Sequence, residues 1–175
     1  MKKLFTVLAA ALMISVSASA QHEIGGIVGG LYGASYKYWF NDNVALQADL
    51  AVGLTRAAGS TNGHSWDVGM YDFTINPNAM YHWGLPMNFK VFAGGGASFG
   101  LVSPLENTAS EGINGKFGLN AIGGVSYDFD AVPLVIAFDF RPGYGLAFWG
   151  EKNYRDSGTT SYFDWKIAVA VRYKL

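Results

Sequence analysis

From residue 162 to the end, the chain alternates strictly. Phe163, Trp165, Ile167, Val169, Val171, Tyr173 and Leu175 share one parity; Tyr162, Asp164, Lys166, Ala168, Ala170, Arg172 and Lys174 share the other. A period of two marks a β-strand whose two faces meet different surroundings. One face here is wholly apolar and carries large side chains, while the other is polar or small. The same division recurs upstream. Leu134, Ile136, Phe138 and Phe140 alternate with Val135, Ala137, Asp139 and Arg141. Phe117, Leu119, Ala121, Val125 and Tyr127 alternate with Asn120, Ser126 and Asp128. Phe89, Val91, Ala93 and Phe99 alternate with Lys90, Gly94, Gly96 and Ser98. Tyr71, Phe73, Ile75, Ala79, Tyr81 and Trp83 alternate with Asp72, Thr74, Asn76, Asn78 and His82. Val44, Leu46, Ala48, Leu50 and Val52 alternate with Gln47, Asp49 and Gly53, and Tyr36, Tyr38 and Phe40 with Ser35 and Lys37. A glycine-rich stretch from about Glu23 to Gly30 completes a set of eight strands.

The connections also alternate. Asn41-Asp42-Asn43, Gly84-Leu85-Pro86-Met87 and Phe129-Asp130-Ala131-Val132-Pro133 are short and rich in turn formers. Between them run longer polar stretches, about Arg56 to Val68, Val102 to Gly115 and Gly150 to Ser161. A short connection near Leu31 to Ala34 falls on the long-loop side. Tight turns at one rim and long loops at the other are the pattern of an outer-membrane barrel, with the tight turns periplasmic.

Alternation alone does not say which face is inside, since a soluble lipocalin-type barrel alternates too. Three features favour apolar-out. The apolar face is nearly unbroken and rich in aromatics, whereas an eight-stranded interior has room only for its own side chains or one small ligand. The opposite face carries glycine, alanine, serine and charges, which suits a narrow lumen. Aromatics gather near strand ends, at Tyr38, Trp39, Phe40, Tyr81, Trp83, Phe148, Trp149, Phe163 and Trp165, as in interfacial girdles. In lipid every backbone group needs a partner, so such a sheet must close. The expected fold is all-β: an eight-stranded antiparallel transmembrane β-barrel with both termini periplasmic.

The first residues agree with export. Met1-Lys2-Lys3, an apolar run from Leu4 to Ile14 and Ala18-Ser19-Ala20 form the three parts of a signal peptide. Cleavage is expected after Ala20, leaving residues 21–175 as one barrel domain. The apolar run is too short for a spanning helix of roughly 20 residues. The chain has no cysteine, which excludes disulfides, thiol catalysis and an acylated lipoprotein terminus. Its net charge of -1 argues against nucleic acid as a partner.

Several segments resemble small bacterial outer-membrane β-barrel-domain proteins. They are Gly25-Gly26, Ser35-Tyr36-Lys37-Tyr38 before an Asn-Asp turn, Val44-Ala45-Leu46, Asp139-Phe140-Arg141-Pro142 and Val171-Arg172-Tyr173. The resemblance spans the mature chain and implies the architecture of OmpX and of the OmpA transmembrane domain. Val171, Tyr173 and Leu175 resemble the C-terminal signal read by the barrel-assembly machinery, although that signal usually ends in Phe.

Residues that could carry chemistry are few. Gly25-Gly26-Ile27-Val28-Gly29-Gly30 and Gly94-Gly95-Gly96 lack the following helix that a phosphate cradle needs; close strand packing explains them. His22, His64 and His82 lie in separate parts of the predicted barrel and do not converge on a metal. His64-Ser65 resembles part of the site of lipid-A deacylases, but no acid is clearly placed beside it. Glu151, Asn153 and Asp156 lack the ligand alternation and turn glycine of a calcium loop. No cofactor, metal or catalytic site is expected, and the chain does not read as an enzyme.

The inward charges are the most informative set: Glu23, Asp49, Asp72, Asp128 and Asp139 with Lys37, Lys90, Lys166, Arg141 and Arg172. Charges in a narrow interior must pair. Arg141, with a fork able to bridge two carboxylates, is expected between Asp139 and Asp72. A salt-bridged plug is the favoured reading of this lumen, and a gated ion path the alternative. The expected function is a non-enzymatic outer-membrane barrel with a structural or surface-contact role. Trp66, Tyr154 and Arg155 in the long loops are candidate contact anchors. The alternatives are a narrow channel or carrier for a small or hydrophobic molecule and, more weakly, a lipid-modifying enzyme. Expected partners are outer-membrane lipids, the barrel-assembly machinery during biogenesis and an unidentified surface ligand, with the barrel a monomer.

Overall fold

A computed structural model describes residues 21–61, 64–104, 114–150 and 157–175. The period-two segments form eight strands: β1 His22–Gly29, β2 Leu31–Trp39, β3 Val44–Thr61, β4 His64–Gly84, β5 Phe89–Pro104, β6 Asn114–Asp128, β7 Leu134–Gly150 and β8 Ser157–Lys174. Each strand pairs antiparallel with its neighbour in sequence, and β1 pairs with β8 to close the barrel. Closure leaves no sheet edge along the paired wall.

The turns follow from their residues. Asn41 Oδ1 accepts hydrogen bonds from the Asn43 and Val44 amides at 2.9 and 2.8 Å, which reverses the chain between β2 and β3. Met87 and Asn88 both take positive φ, 62° and 63°, between β4 and β5. The β1–β2 turn is tighter than its sequence suggests. Gly29 has φ of +123°, and a Cβ on it would lie 2.6 Å from the Ile167 carbonyl oxygen. Residues 31–34 therefore belong to β2, not to a connection.

Where the three predicted long loops fall within the described residues, they are strand. β3 continues to Thr61 and β4 starts at His64; β5 runs to Pro104 and β6 starts at Asn114; β7 runs to Gly150 and β8 starts at Ser157. Their Gly, Ser, Thr and Asn residues lack apolar alternation, so they read as loop. Pairing with the neighbouring strand holds them in the sheet all the same.

Facing follows the parity throughout the described side chains. Trp165 is 62 % exposed and its neighbour Lys166 only 8 %. Ile24, Leu50, Phe73, Phe99, Leu119, Phe138 and Phe163 all project outward and are exposed. Glu23, Lys37, Asp49, Asp72, Asp139, Arg141 and Arg172 point inward and are buried. The inner face also holds a cluster of larger apolar groups that includes Ile27, Leu31, Met80, Phe92 and Ile122. The glycine run of β5 serves close packing: a Cβ on Gly94 or Gly96 would lie 2.0 or 2.1 Å from the Ala79 or Pro77 carbonyl oxygen.

Candidate functional site

The inward face brings the predicted charges together, in three groups along the lumen. The central group is built on Arg141 of β7. Its Nε and Nη2 donate to Asp139 at 2.7 and 2.9 Å, and its Nη1 donates to Asp49 of β3 at 2.5 Å. Asp139 and Arg141 are two residues apart, so they share a strand face. In a ring of eight strands β3 and β7 stand opposite, which carries Asp49 across the lumen to Arg141. Gln47 Nε2 adds hydrogen bonds of 3.1 and 2.8 Å to the two oxygens of Asp49.

Sequence reasoning matched Arg141 with Asp139 correctly and with Asp72 wrongly. Asp49 pairs in register with Asn76, and Asp72 with Gly53. Asp72 thus lies two inward positions further toward the β3–β4 hairpin, beyond the arginine fork. There it anchors the second group. Asp72 accepts from Lys116 of β6 and from Lys166 of β8, the latter at 3.2 Å, and Lys166 also pairs with Asp164 at 3.2 Å. The Lys116 ammonium lies 5.2 Å from the centre of the Tyr162 ring. Lys116 and Asp164 were not in the predicted network. Lys116 sat beside a stretch read as loop, and only the longer β6 reveals its inward parity. A void of about 20 Å³ separates these two groups, lined by Asn76, Ser98, Asn120, Arg141 and Lys166 among others. Such a space holds about one water.

The third group lies toward the short-turn rim. Lys90 and Lys174 share Asp128 at 3.1 and 3.0 Å, with partial exposure. Lys174 was also outside the predicted network. Deeper in, Trp39 Nε1 donates to Glu23 Oε1 at 2.7 Å. The Trp39 ring stacks 4.4 Å from His82, and His82 lies 5.0 Å from Phe92. Lys90 Nζ sits 4.6 Å over Trp39. Trp39 is therefore a lumen residue and not part of an outer aromatic girdle. Tyr38-Trp39-Phe40 is aromatic on both faces, so parity alone had to separate them. His82 is 1 % exposed, and among the described residues neither of its ring nitrogens has a hydrogen-bond partner. Arg172 Nε donates to Ser35 Oγ at 2.8 Å.

The other predicted residues take different places. Val171, Tyr173 and Leu175 line the outer face of the last strand and are exposed. The Trp66 backbone belongs to β4, but its side chain lies outside the described residues, as do Tyr154, Arg155, Glu151, Asn153 and Asp156. The side chains of His64 and Trp149 are likewise outside them. His22 Nδ1 is 2.8 Å from the Tyr36 hydroxyl, far from His82 in character and exposure. Among the described residues, no group of three or more His, Cys, Asp or Glu side chains is placed to hold a metal.

The arrangement is one of mutual neutralisation. The central and hairpin-side groups are ion-paired, as buried charges must be to offset their desolvation. No protein-family model matches the chain, and no curated protein matches its sequence at a significant level.

Proposed function

We propose that this chain is an exported, non-enzymatic integral protein of the bacterial outer membrane. In this reading the barrel spans the bilayer as a monomer, with termini and short turns in the periplasm. Its lumen is a charge-paired plug, and its extended hairpins reach outward to support the envelope or meet a surface ligand. The observation that carries the reading is the inverted polarity of the wall. Large apolar side chains such as Trp165 at 62 % exposure ring the outside, while Asp49 and Asp139 are fully buried inside. In water a continuous belt of that kind would drive aggregation. In a bilayer it is the lipid-facing surface that a closed, fully hydrogen-bonded sheet requires.

The basic and apolar start of the chain supports export, and cleavage after Ala20 belongs to the same proposal. Residues 1–20 lie outside the described residues. The resemblance to small outer-membrane β-barrel-domain proteins points the same way, as does the apolar parity of the last strand for recognition by the assembly machinery. The test is fractionation of cells expressing the full chain. The protein should appear in the outer membrane, shortened at residue 21, and migrate on gels as a compact band until heated. Recovery as a soluble periplasmic species with no heat-modifiable band would refute the proposal.

A further inference from the structure

The wall changes its strand number along the barrel. β1 and β2 end at the tight turn of Gly29 and Gly30, and their last rungs to the outer neighbours join Gly29 to Ala168 and Leu31 to Gly53. β3 continues past that level to Thr61 and β8 begins beyond it at Ser157, each still laddered on its other side to β4 or β7. On the short-turn side of the β1–β2 tip the ring has eight strands, and beyond the tip only β3 to β8 remain. β3 and β8 approach within 8 Å at their α-carbons. Three spacings of about 4.8 Å separate them where β1 and β2 intervene, so this approach lies beyond the tip. The two strands run antiparallel there, yet among the described residues no rung joins residues 54–61 to residues 157–166. The backbone bond from Gly30 N to Ile167 O, 2.7 Å long, ties the tip to β8 at the foot of this seam.

What spans the seam is an ion pair. Lys166 of β8 reaches Asp72 of β4 at 3.2 Å, and both side chains are buried. Beyond the tip only β3 stands between those two strands. Two glycines clear the path. A Cβ on Gly53 would lie 2.8 Å from Asp72 Oδ1, so the carboxylate rests over β3 itself. A Cβ on Gly30 would lie 3.0 Å from the Lys166 Cβ, so the lysine rests against the hairpin tip. Gly25 plays the same part where Arg172 reaches over β1 to Ser35. Lys116 holds Asp72 from β6, and Asp164 holds Lys166 from its own strand. Both ends of the tie are therefore fixed in place. On the outer face Leu54 and Trp165 flank the seam, and both are exposed.

We propose that the β3–β8 seam is a lateral gate held shut by the Asp72–Lys166 ion pair. Its opening connects the lumen around Lys116, Tyr162 and Asp164 with the surrounding lipid, a role that rests on the bilayer reading of the wall. The test uses the full chain in lipid vesicles, with a bimane label on Leu54→Cys and Trp165 as its contact quencher. The chain has no other cysteine, and Trp165→Phe sets the unquenched signal. With the ion pair intact the label should be quenched. Lys166→Met and Asp72→Asn should each release most of that quenching. The same label on Tyr144→Cys, diagonal to Trp165 across the laddered β7–β8 wall, should stay quenched in every variant. Should the charge variants fail to fold, Gly53→Ala gives the readout, since it keeps both charges but crowds the Asp72 carboxylate and should release part of the quenching. Quenching at position 54 that is the same with and without the ion pair would overturn the gate. Release at both positions would overturn it too, because that reports a barrel loosened throughout. A wild-type chain that does not insert into vesicles would sink the bilayer reading and the gate with it, whereas an inserted barrel with an unresponsive seam would sink the gate alone.

Discussion

Arg141→Met removes the one cation that joins β3 to β7 through the centre of the lumen. Three hydrogen bonds of 2.5 to 2.9 Å disappear with it. Asp49 and Asp139, whose side chains are 0 % and 1 % exposed, would then lack their cation. Of its side-chain hydrogen bonds among the described residues, Asp49 would keep those from Gln47. Breaking a buried pair from one side costs about 3–5 kcal/mol, because the remaining charge stays desolvated. With a urea slope of about 2 kcal/mol/M, that lowers the unfolding midpoint by roughly 2 M. The cost comes chiefly from stranded charge, since Met keeps most of the side-chain volume. Adding Asp49→Asn and Asp139→Asn should therefore restore most of the stability, because neutral replacement of a whole buried ion group is often harmless. The assay is urea unfolding in lipid vesicles, followed by loss of the heat-modifiable band. A single variant within about 1 kcal/mol of wild type would refute the reasoning, since real breakage of a buried pair costs several. A triple variant weaker than Arg141→Met would refute it equally.

The outer and inner faces should respond differently to neighbouring changes in β8. Val169→Arg sets a charge on the outer belt at an expected cost of roughly 2–4 kcal/mol and should block assembly in cells, whereas Ala170→Ser, facing the lumen, should leave the folded gel band intact. Cysteines at Asn62, Asn107 and Ser157 should react with a membrane-impermeant maleimide on whole cells, and cysteines at Asp42 and Pro86 only after the outer membrane is opened; the native chain contributes no cysteine background. In a planar bilayer the wild-type protein should give no steady current, and a stable ion-selective conductance would favour the channel reading over the plug.

Much of this architecture was legible because a strand with unlike faces writes its facing into every second residue. Phe163 to Leu175 and Leu134 to Arg141 declared both their conformation and their inward side. Strand length was less legible. Beyond the apolar belt the extended hairpins of β3–β4 and β7–β8 have no reason to alternate, and hydrogen bonding to the neighbouring strand holds them instead. The partner of Arg141 was hidden for a geometric reason. A sequence lists which carboxylates face inward, but height along the lumen comes from register, and register put Asp49 rather than Asp72 beside the arginine fork. Lys116 was missed at the border between these two effects, one residue before a recognisable strand. Trp39 was misassigned because aromatic residues occupy consecutive positions there, so the girdle and the lumen look alike.

The Arg172–Ser35 hydrogen bond spans 137 residues of sequence and bridges over the glycine of the first strand. It joins the last strand to the second, not merely to the first. It can therefore form only when the opening hairpin is already in register and the final strand has docked beside it. A chain arrested one strand short, or closed with a slipped seam, leaves that arginine in the interior without its hydroxyl acceptor. A misregistered barrel therefore carries a buried polar cost at its seam that the native register does not.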